Sequence, residues 1–409
     1  MTRKQPQYAP PINKSAFRNV ERSYRTFGPN PELPDLTNVF DFTNLDNLTQ
    51  ELKDKVQTIP LVKGLSENLF KDIFHQGSGL ETSSLSSSIN NSKSVTVGYT
   101  ISTNPGLLVI PNPFYNICQQ KLVQILLKEG SRPPNRSNIH AHYDVPDCGV
   151  WELYERIKNN ENVPDILKIK PNHSQHVLDG YSMDEYQVTS IENIKLNTCS
   201  NTYTNFNTNS STCSNGNSNS CSNANSNSNT NSNTCSNTNH IENNVTTCTR
   251  NKNGSGGGDI HDPSLPLRID PTSLLHRLRW TTLGYNYEWT TKSYIFDPPP
   301  PPIPSVLTRI SKTILAHSYN FHGYEASSFC PQAGIINYYR GKDRLTGHVD
   351  RSELNMDAPL VSLSFGISAI LLMGGDTVDV EPSAILVRSG DIIIMSGEAR
   401  KCFHGIVIL

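Results

Sequence analysis

The sequence predicts an α+β fold: a β-sandwich or barrel (double-stranded β-helix type) of short strands in the last quarter of the chain, helices before it, and a disordered insertion among those helices. Three observations carry this. From Gly334 onward, short apolar runs at 359–365, 369–373, 384–387 and 392–395 are broken by Gly, Asp and Pro. Short strands at regular spacing are the pattern of a sandwich or barrel. Upstream, residues 303–319 place apolar side chains at 303, 306, 307, 310, 314 and 315, the stripe of an amphipathic helix. Before both, residues 197–258 are dominated by Asn, Ser and Thr and end in a Gly-rich stretch. Such a tract cannot bury enough apolar area to offset the entropy of ordering it.

In chain order, residues 15–25 carry apolar groups at 17, 20 and 24, a short helix with Ser15 as its cap. Residues 35–42 alternate toward an extended segment, and 65–74 read as a helix. Residues 82–93 are Ser-rich, a loop. Residues 106–114 form a strand closed by Pro111 and Pro113, followed by a helix at 117–127. A short helix at 271–278 leads into the aromatic run 279–289, and Pro298 to Pro302 make a rigid turn.

The 409 residues leave room for two domains. Hydrophobic content is 35% and mean hydropathy −0.46, and the Asn/Ser tract is the local cause of that polarity. Net charge is −2, so a nucleic-acid partner would need a local basic patch. Five of nine cysteines (Cys199, Cys213, Cys221, Cys235, Cys248) sit in the tract without a C-x2-C pair, which argues against zinc. The scattered others suit a reducing compartment. No apolar run approaches the ~20 residues of a membrane helix, and no secretory signal opens the chain. Arg3, Lys4, Lys14, Arg18, Arg22 and Arg25 outnumber Glu21, as in a mitochondrial presequence, while prolines at 6, 10 and 11 oppose a helix there. Cytoplasm, nucleus and mitochondrion stay open as locations; secretion is not expected.

His348 and Asp350 are two apart, so on a strand they share one face. A sheet folded back on itself can return His404 to the same pocket. Two imidazoles and a carboxylate suit Fe(II), Mn(II) or Zn(II) by ligand type and leave positions open for a co-substrate and O2. By itself His-x-Asp is a short pattern, and three unrelated polar residues would also explain it.

The surroundings are more specific. They read Ala-Gly-Ile-Ile-Asn-Tyr-Tyr-Arg at 333–340 and His-Val-Asp-Arg-Ser-Glu at 348–353. Ser-Phe-Gly follows at 364–366, Ser-Gly-Asp-Ile-Ile-Ile-Met-Ser-Gly at 389–397 and Arg-Lys-Cys-Phe-His-Gly at 400–405. Several motifs in fixed order make this chain resemble the AlkB family of Fe(II)- and 2-oxoglutarate-dependent dioxygenases, on its AlkB homologue 1 branch. The match is strong over 274–409 and faint at 15–43 and 107–114.

The resemblance implies a double-stranded β-helix (jelly-roll) core. It implies Fe(II) held by His348, Asp350 and His404, with 2-oxoglutarate and O2 as co-substrates and a substrate methyl group as the target. Asn337 and Tyr339 stand where the family hydrogen-bonds 2-oxoglutarate, with Tyr338 facing the other way. Trp280, Tyr285 and Tyr287 match a nucleotide-recognition lid, and Arg351, Ser352 and Glu353 would line the mouth. An aromatic core cluster and a solvated rim are the plainer alternatives for these two sets. The implied layout is an N-terminal extension at 1–99, the domain's start at 100–196, the insertion at 197–258 and the catalytic core at 259–409. The implied partner is tRNA or DNA carrying methylated bases, met by a monomer away from any membrane. A dioxygenase acting on protein side chains is a further reading. In the family a strand with two arginines follows the distal His, and the first arginine pairs with 2-oxoglutarate. This sequence stops at Leu409, and neither Arg388 nor Arg400 stands in that place. The expectations are an open sheet edge and weak co-substrate binding; the alternative function is a catalytically weak or inactive relative that binds nucleic acid or acts as a scaffold.

Overall fold

The apolar runs fold into two sheets that share one core. The computed structural model describes residues 15–25, 34–74, 95–168, 192–198 (backbone alone), 268–289, 291–341 and 343–409. These lie in one unit, Met1–Ser200 with Pro266–Leu409. Nearly all of the expected insertion, like the Ser-rich loop at 82–93, lies outside the described residues.

The strands are β1 (Val39–Phe40), β2 (Val56–Pro60), β3 (Val97–Ile101), β4 (Leu107–Ile110), β5 (Arg136–Ser137), β6 (Ile166–Leu167), β7 (Glu192–Thr198), β8 (Arg268–Ile269), β9 (Trp280–Gly284), β10 (Asn286–Glu288), β11 (Ser293–Ile295), β12 (Pro331–Asn337), β13 (Arg344–His348), β14 (Leu360–Leu363), β15 (Ala369–Met373), β16 (Ser383–Val387), β17 (Ile392–Met395) and β18 (His404–Ile408). The helices are α1 (Ala16–Ser23), α2 (Gln50–Lys55), α3 (Leu65–Ile73), α4 (Asn116–Lys128), α5 (Gly149–Lys158), α6 (Pro271–Leu275), α7 (Ser305–His317) and α8 (Tyr319–His322). No helix among the described residues is long and apolar enough to cross a membrane.

The small sheet runs β1-β16-β15-β18-β13 and the large one β2-β3-β4-β17-β14-β7-β12-β9-β5. Alternation along the strands sorts the side chains into layers. Val109, Leu360, Ile393 and Met395 of the large sheet meet Leu371, Met373, Ile385 and Ile406 of the small one in a shared core. The other face of the large sheet (Leu108, Val361, Ile392, Ile394) packs with α3, α4 and α7. The outer face of the small sheet (Ile370, Leu372, Val407) takes Phe17 of α1. Each fully buried Leu, Ile or Phe contributes roughly 1.5–3 kcal/mol.

Three expectations change. The boundary near residue 100 falls inside β3, and the supposed N-terminal extension is built into the sheets. There β1 runs parallel beside β16, and β2 and β3 continue the large sheet from β4. The open sheet edge is not found at β12 or β14, because β7 lies between them and pairs antiparallel with both. It runs to Thr198, two residues into the Asn/Ser tract. Ser15 sits at the N-cap of α1 but makes no side-chain cap bond; Phe17, buried under the small sheet, anchors this helix instead.

Candidate metal centre and its aromatic wall

β13 and β18 are antiparallel neighbours. Arg344 stands opposite Val407 and Leu345 opposite Ile406; then the register shifts, and His348 stands opposite His404. A bulge of this kind re-aims a side chain. Glycine is required on both strands. A Cβ on Gly405 would meet the Leu345 carbonyl oxygen at 2.9 Å, and one on Gly347 would meet the Phe17 ring at 2.3 Å.

His348 ends β13, and Asp350 lies beyond it in irregular chain. The pair is therefore not two positions of one strand, as the spacing suggested. The chain leaves the sheet and turns the carboxylate back. His348 Nε2 lies 3.5 Å from Asp350 Oδ1, and His404 Nε2 lies 3.6 Å from Oδ2. The ligand atoms of the three residues fall within 4.8 Å of one another. Each imidazole is oriented from behind: His348 Nδ1 donates to the Thr346 carbonyl at 3.0 Å and His404 Nδ1 to the Cys402 carbonyl at 3.2 Å. A carbonyl can only accept, so Nδ1 carries a proton, and in the neutral ring Nε2 is the atom that offers a lone pair to a ligand. Two imidazole nitrogens and one carboxylate converging on one point are a donor set that fits a divalent ion.

The sequence reading missed the group that holds Asp350. Arg400 is buried, its side chain 1% exposed. It donates from Nη1 to the Asp350 carbonyl at 2.8 Å and from Nη2 to Glu353 Oε2 at 3.0 Å. The other oxygen of Glu353 accepts from Tyr294 Oη at 3.2 Å. The Glu353 side chain is 6% exposed, so it does not line an open mouth. A buried carboxylate needs a buried cation, and Arg400 is that cation. Ser352 is likewise committed: it donates to the Lys292 carbonyl at 2.8 Å and meets Tyr287 Oη at 3.1 Å. Arg351 is exposed and lies over the Phe403 ring.

The expected lid divides. Trp280 packs on Trp289 (centroids 5.1 Å), Trp289 on Tyr287 (4.9 Å) and Tyr287 on Tyr294 (5.2 Å). Tyr285 turns instead to Phe296 at 5.1 Å. Trp289 and Tyr294 extend the wall beyond the aromatic residues the sequence points to, and their signal is their place on an aromatic hairpin. Burial raises the Tyr287 phenol, the nearby Glu353 and Asp350 charges add to this, and the Ser352 bond opposes it.

Tyr339 is buried in the core between the sheets, while Tyr338 faces the opposite layer and donates to the Leu126 carbonyl at 3.0 Å. Asn337 is buried at the end of β12, directly opposite Trp280 of β9.

Residues 259–408 match the 2OG-Fe(II) oxygenase superfamily. The chain is 48% identical over 136 residues to nucleic acid dioxygenase ALKBH1 of Mus musculus, covering 33% of each protein. It is 40% identical over 138 residues to DNA N(6)-methyladenine demethylase ALKBH1A of Arabidopsis thaliana, covering 34% of this chain and 39% of that one. It is 38% identical over 142 residues to tRNA demethylase abh1 of Schizosaccharomyces pombe, covering 34% and 45%. The chain thus spans between a third and a half of the length of these curated relatives. The matched segment contains all three converging ligands and both co-substrate candidates. Residues 259–408 accordingly match a 2OG-Fe(II) oxygenase domain, and this segment is similar to proteins of the ALKBH1 group.

Proposed function

We propose that this protein is an Fe(II)- and 2-oxoglutarate-dependent dioxygenase that demethylates methylated bases in nucleic acid, tRNA or DNA. The observation that carries the reading is the convergence of His348, Asp350 and His404, with both Nε2 atoms turned to one carboxylate and both Nδ1 protons tied to backbone carbonyls. The relatives named for action on DNA, on tRNA and on nucleic acid supply the substrate class. The order of the paired strands supports a double-stranded β-helix, with β12, β14 and β17 in one sheet and β13, β15, β16 and β18 in the other.

In this reading the three ligands hold Fe(II). Bound there, iron would supply the oxidation of a methyl C–H bond by O2, with 2-oxoglutarate oxidised to succinate and CO2 and the hydroxylated methyl carbon released as formaldehyde. The chain's own residues do the positioning. The Thr346 and Cys402 carbonyls fix each imidazole tautomer. Arg400 holds the backbone at Asp350. Asn337 and Tyr339 offer the co-substrate a buried amide and a phenol. Trp280, Trp289, Tyr287 and Tyr294 form a wall on which a base can stack out of its helix.

The test is to supply Fe(II) and 2-oxoglutarate to the full chain with methylated RNA and DNA oligonucleotides, following succinate release and the mass of the oligonucleotide. Succinate formed together with loss of the methyl mass supports the reading. Iron binding without either product would leave a metal-binding protein of another function.

A further inference from the structure

A second charged cluster flanks the strand ends that carry Trp280 and Asn337. Arg279 precedes Trp280, and Arg340 follows Tyr339. Both donate through Nη1 to one atom, the carbonyl oxygen of His276, at 3.2 Å and 3.0 Å. Arg340 also donates through Nη2 to His276 Nδ1. An Nδ1 that accepts belongs to a neutral ring, so His276 holds the cations without adding a charge. Arg277 is exposed beside them, with Nη1 on Tyr143 Oη at 2.8 Å. Arg136 is exposed on β5, in register with Thr282 of β9. None of these four arginines makes an ion pair among the described residues. The acid that feels Arg279 and Arg340 is Asp343, which accepts the Arg340 backbone N–H at 2.7 Å. Its carboxyl is raised by burial, against that bond and the two guanidinium groups.

Two guanidinium groups on one carbonyl repel each other; His276 gives them no negative charge in return, and Asp343 offsets them only in part, its own carboxyl being raised by burial. In a chain of net charge −2, such a concentration of cations has no source in composition. It becomes favourable when an anion spans the pair, and each guanidinium keeps donors beyond its bond to His276. Its place is specific too: Trp280 and Asn337 are direct cross-strand partners, so the cluster borders the aromatic wall.

We propose that Arg279 and Arg340, held on the His276 carbonyl, bind a backbone phosphate beside the nucleotide presented to the metal centre, with Arg277 and Arg136 carrying the contact along the strand. This rests on the reading that the substrate is nucleic acid. Such contacts set register on the strand and read no sequence, in keeping with a site whose selectivity lies in the aromatic wall.

The experiment is fluorescence anisotropy of the full chain with a labelled RNA stem-loop and a labelled DNA of matching sequence, over a range of salt. In the Arg279→Gln/Arg340→Gln variant, affinity should fall about 10-fold or more, and the slope of log K against log salt should drop by about 1, as expected for one lost phosphate contact. Arg279→Lys/Arg340→Lys should keep the slope and recover part of the affinity, with circular dichroism confirming the fold of both variants. Unchanged affinity and slope in the Gln variant would overturn the proposal and leave the functional reading standing. Titration of 2-oxoglutarate into the same proteins reads the competing outcome: loss of co-substrate affinity with nucleic-acid binding intact would make the pair a co-substrate anchor and overturn the proposal. A wild type that binds neither RNA nor DNA would overturn both.

Discussion

The His348–Asp350–His404 cluster and the aromatic hairpin adjoin the same loop, yet they are held by different means. His348 and His404 are placed by the β13–β18 ladder, and their rings are fixed by backbone carbonyls. The hairpin β10–β11 forms a two-stranded sheet of its own, and such a ribbon is marginal by itself. Its recorded ties to the ligand loop are made by side chains: Tyr287 to Ser352, Tyr294 to Glu353, and Ser352 to the Lys292 carbonyl. All three reach the few residues after Asp350. The hairpin is thus referenced to the loop that carries Asp350, while the described hydrogen bonds of the two imidazoles run to the Thr346 and Cys402 carbonyls. Disturbing the loop should move both regions; disturbing the hairpin should leave the metal alone.

The largest expected effect comes from the ligands. Asp350→Asn or His404→Ala should weaken Fe(II) or Co(II) binding by more than ~100-fold, beyond the ~10–100-fold loss usual for a group behind the ligands. Co(II) absorbance titration reads this, and metal-free melting should stay within a few degrees. Retained affinity would place the metal elsewhere.

Arg400 comes next and splits structure from positioning. Arg400→Met leaves Glu353 charged and buried, a cost of ~3–5 kcal/mol that appears in thermal or urea melts. It also removes the donor to the Asp350 carbonyl, so metal affinity should fall ~10–100-fold. Arg400→Met/Glu353→Met should recover most of the stability but not the metal affinity. Recovery of both would reduce Arg400 to a core residue.

What the sequence disclosed follows from what is local. The apolar runs at 360–363, 369–373 and 392–395 became strands because their side chains have two packed faces to enter. The ligands were legible because their motifs are short and ordered. The pairing of His348 with His404 was not, since it depends on a register shift that a single strand does not encode. Glu353 reads as a mouth or rim charge and Arg400 only as an arginine outside the expected co-substrate place, until the fold buries the two together, 47 residues apart. β2 was missed because Val56–Pro60 is largely exposed and shows no apolar alternation.

Hairpin substitutions rank third. Tyr287→Phe or Tyr294→Phe removes one hydrogen bond, about 1 kcal/mol, and keeps the ring contacts. The expected result is a higher KM for methylated nucleic acid with unchanged Co(II) affinity. If Tyr294→Phe weakens metal binding as much as Arg400→Met does, the separation between the two regions does not hold.

The smallest effect lies away from both regions, where the segment after β1 meets the end of β16. Arg388 donates to both oxygens of Asp41, at 2.6 Å and 2.7 Å. Burial alone would raise the Asp41 carboxyl, but the Arg388 bonds, with help from Asn44 and the Thr43 amide, outweigh it and leave it below the usual value. A carboxyl lowered in the fold contributes stability above its unfolded pKa and loses it as pH falls through the folded value. For a partly exposed pair this amounts to about 1 kcal/mol at neutral pH. Asp391 has the opposite sign. Burial raises it, and the amides of Arg388 and Asn112 offset this only in part. Its contribution is present below the unfolded pKa and fades as pH rises through the raised value. Melting temperatures of wild type and Asp41→Asn should therefore differ most near neutrality and converge below about pH 4, the ordinary carboxylate range. Asp391→Asn should gain on wild type as pH rises. A gap between wild type and Asp41→Asn that stays constant from acid to neutral pH would mean that the Asp41–Arg388 pair holds its geometry without contributing charge-dependent stability.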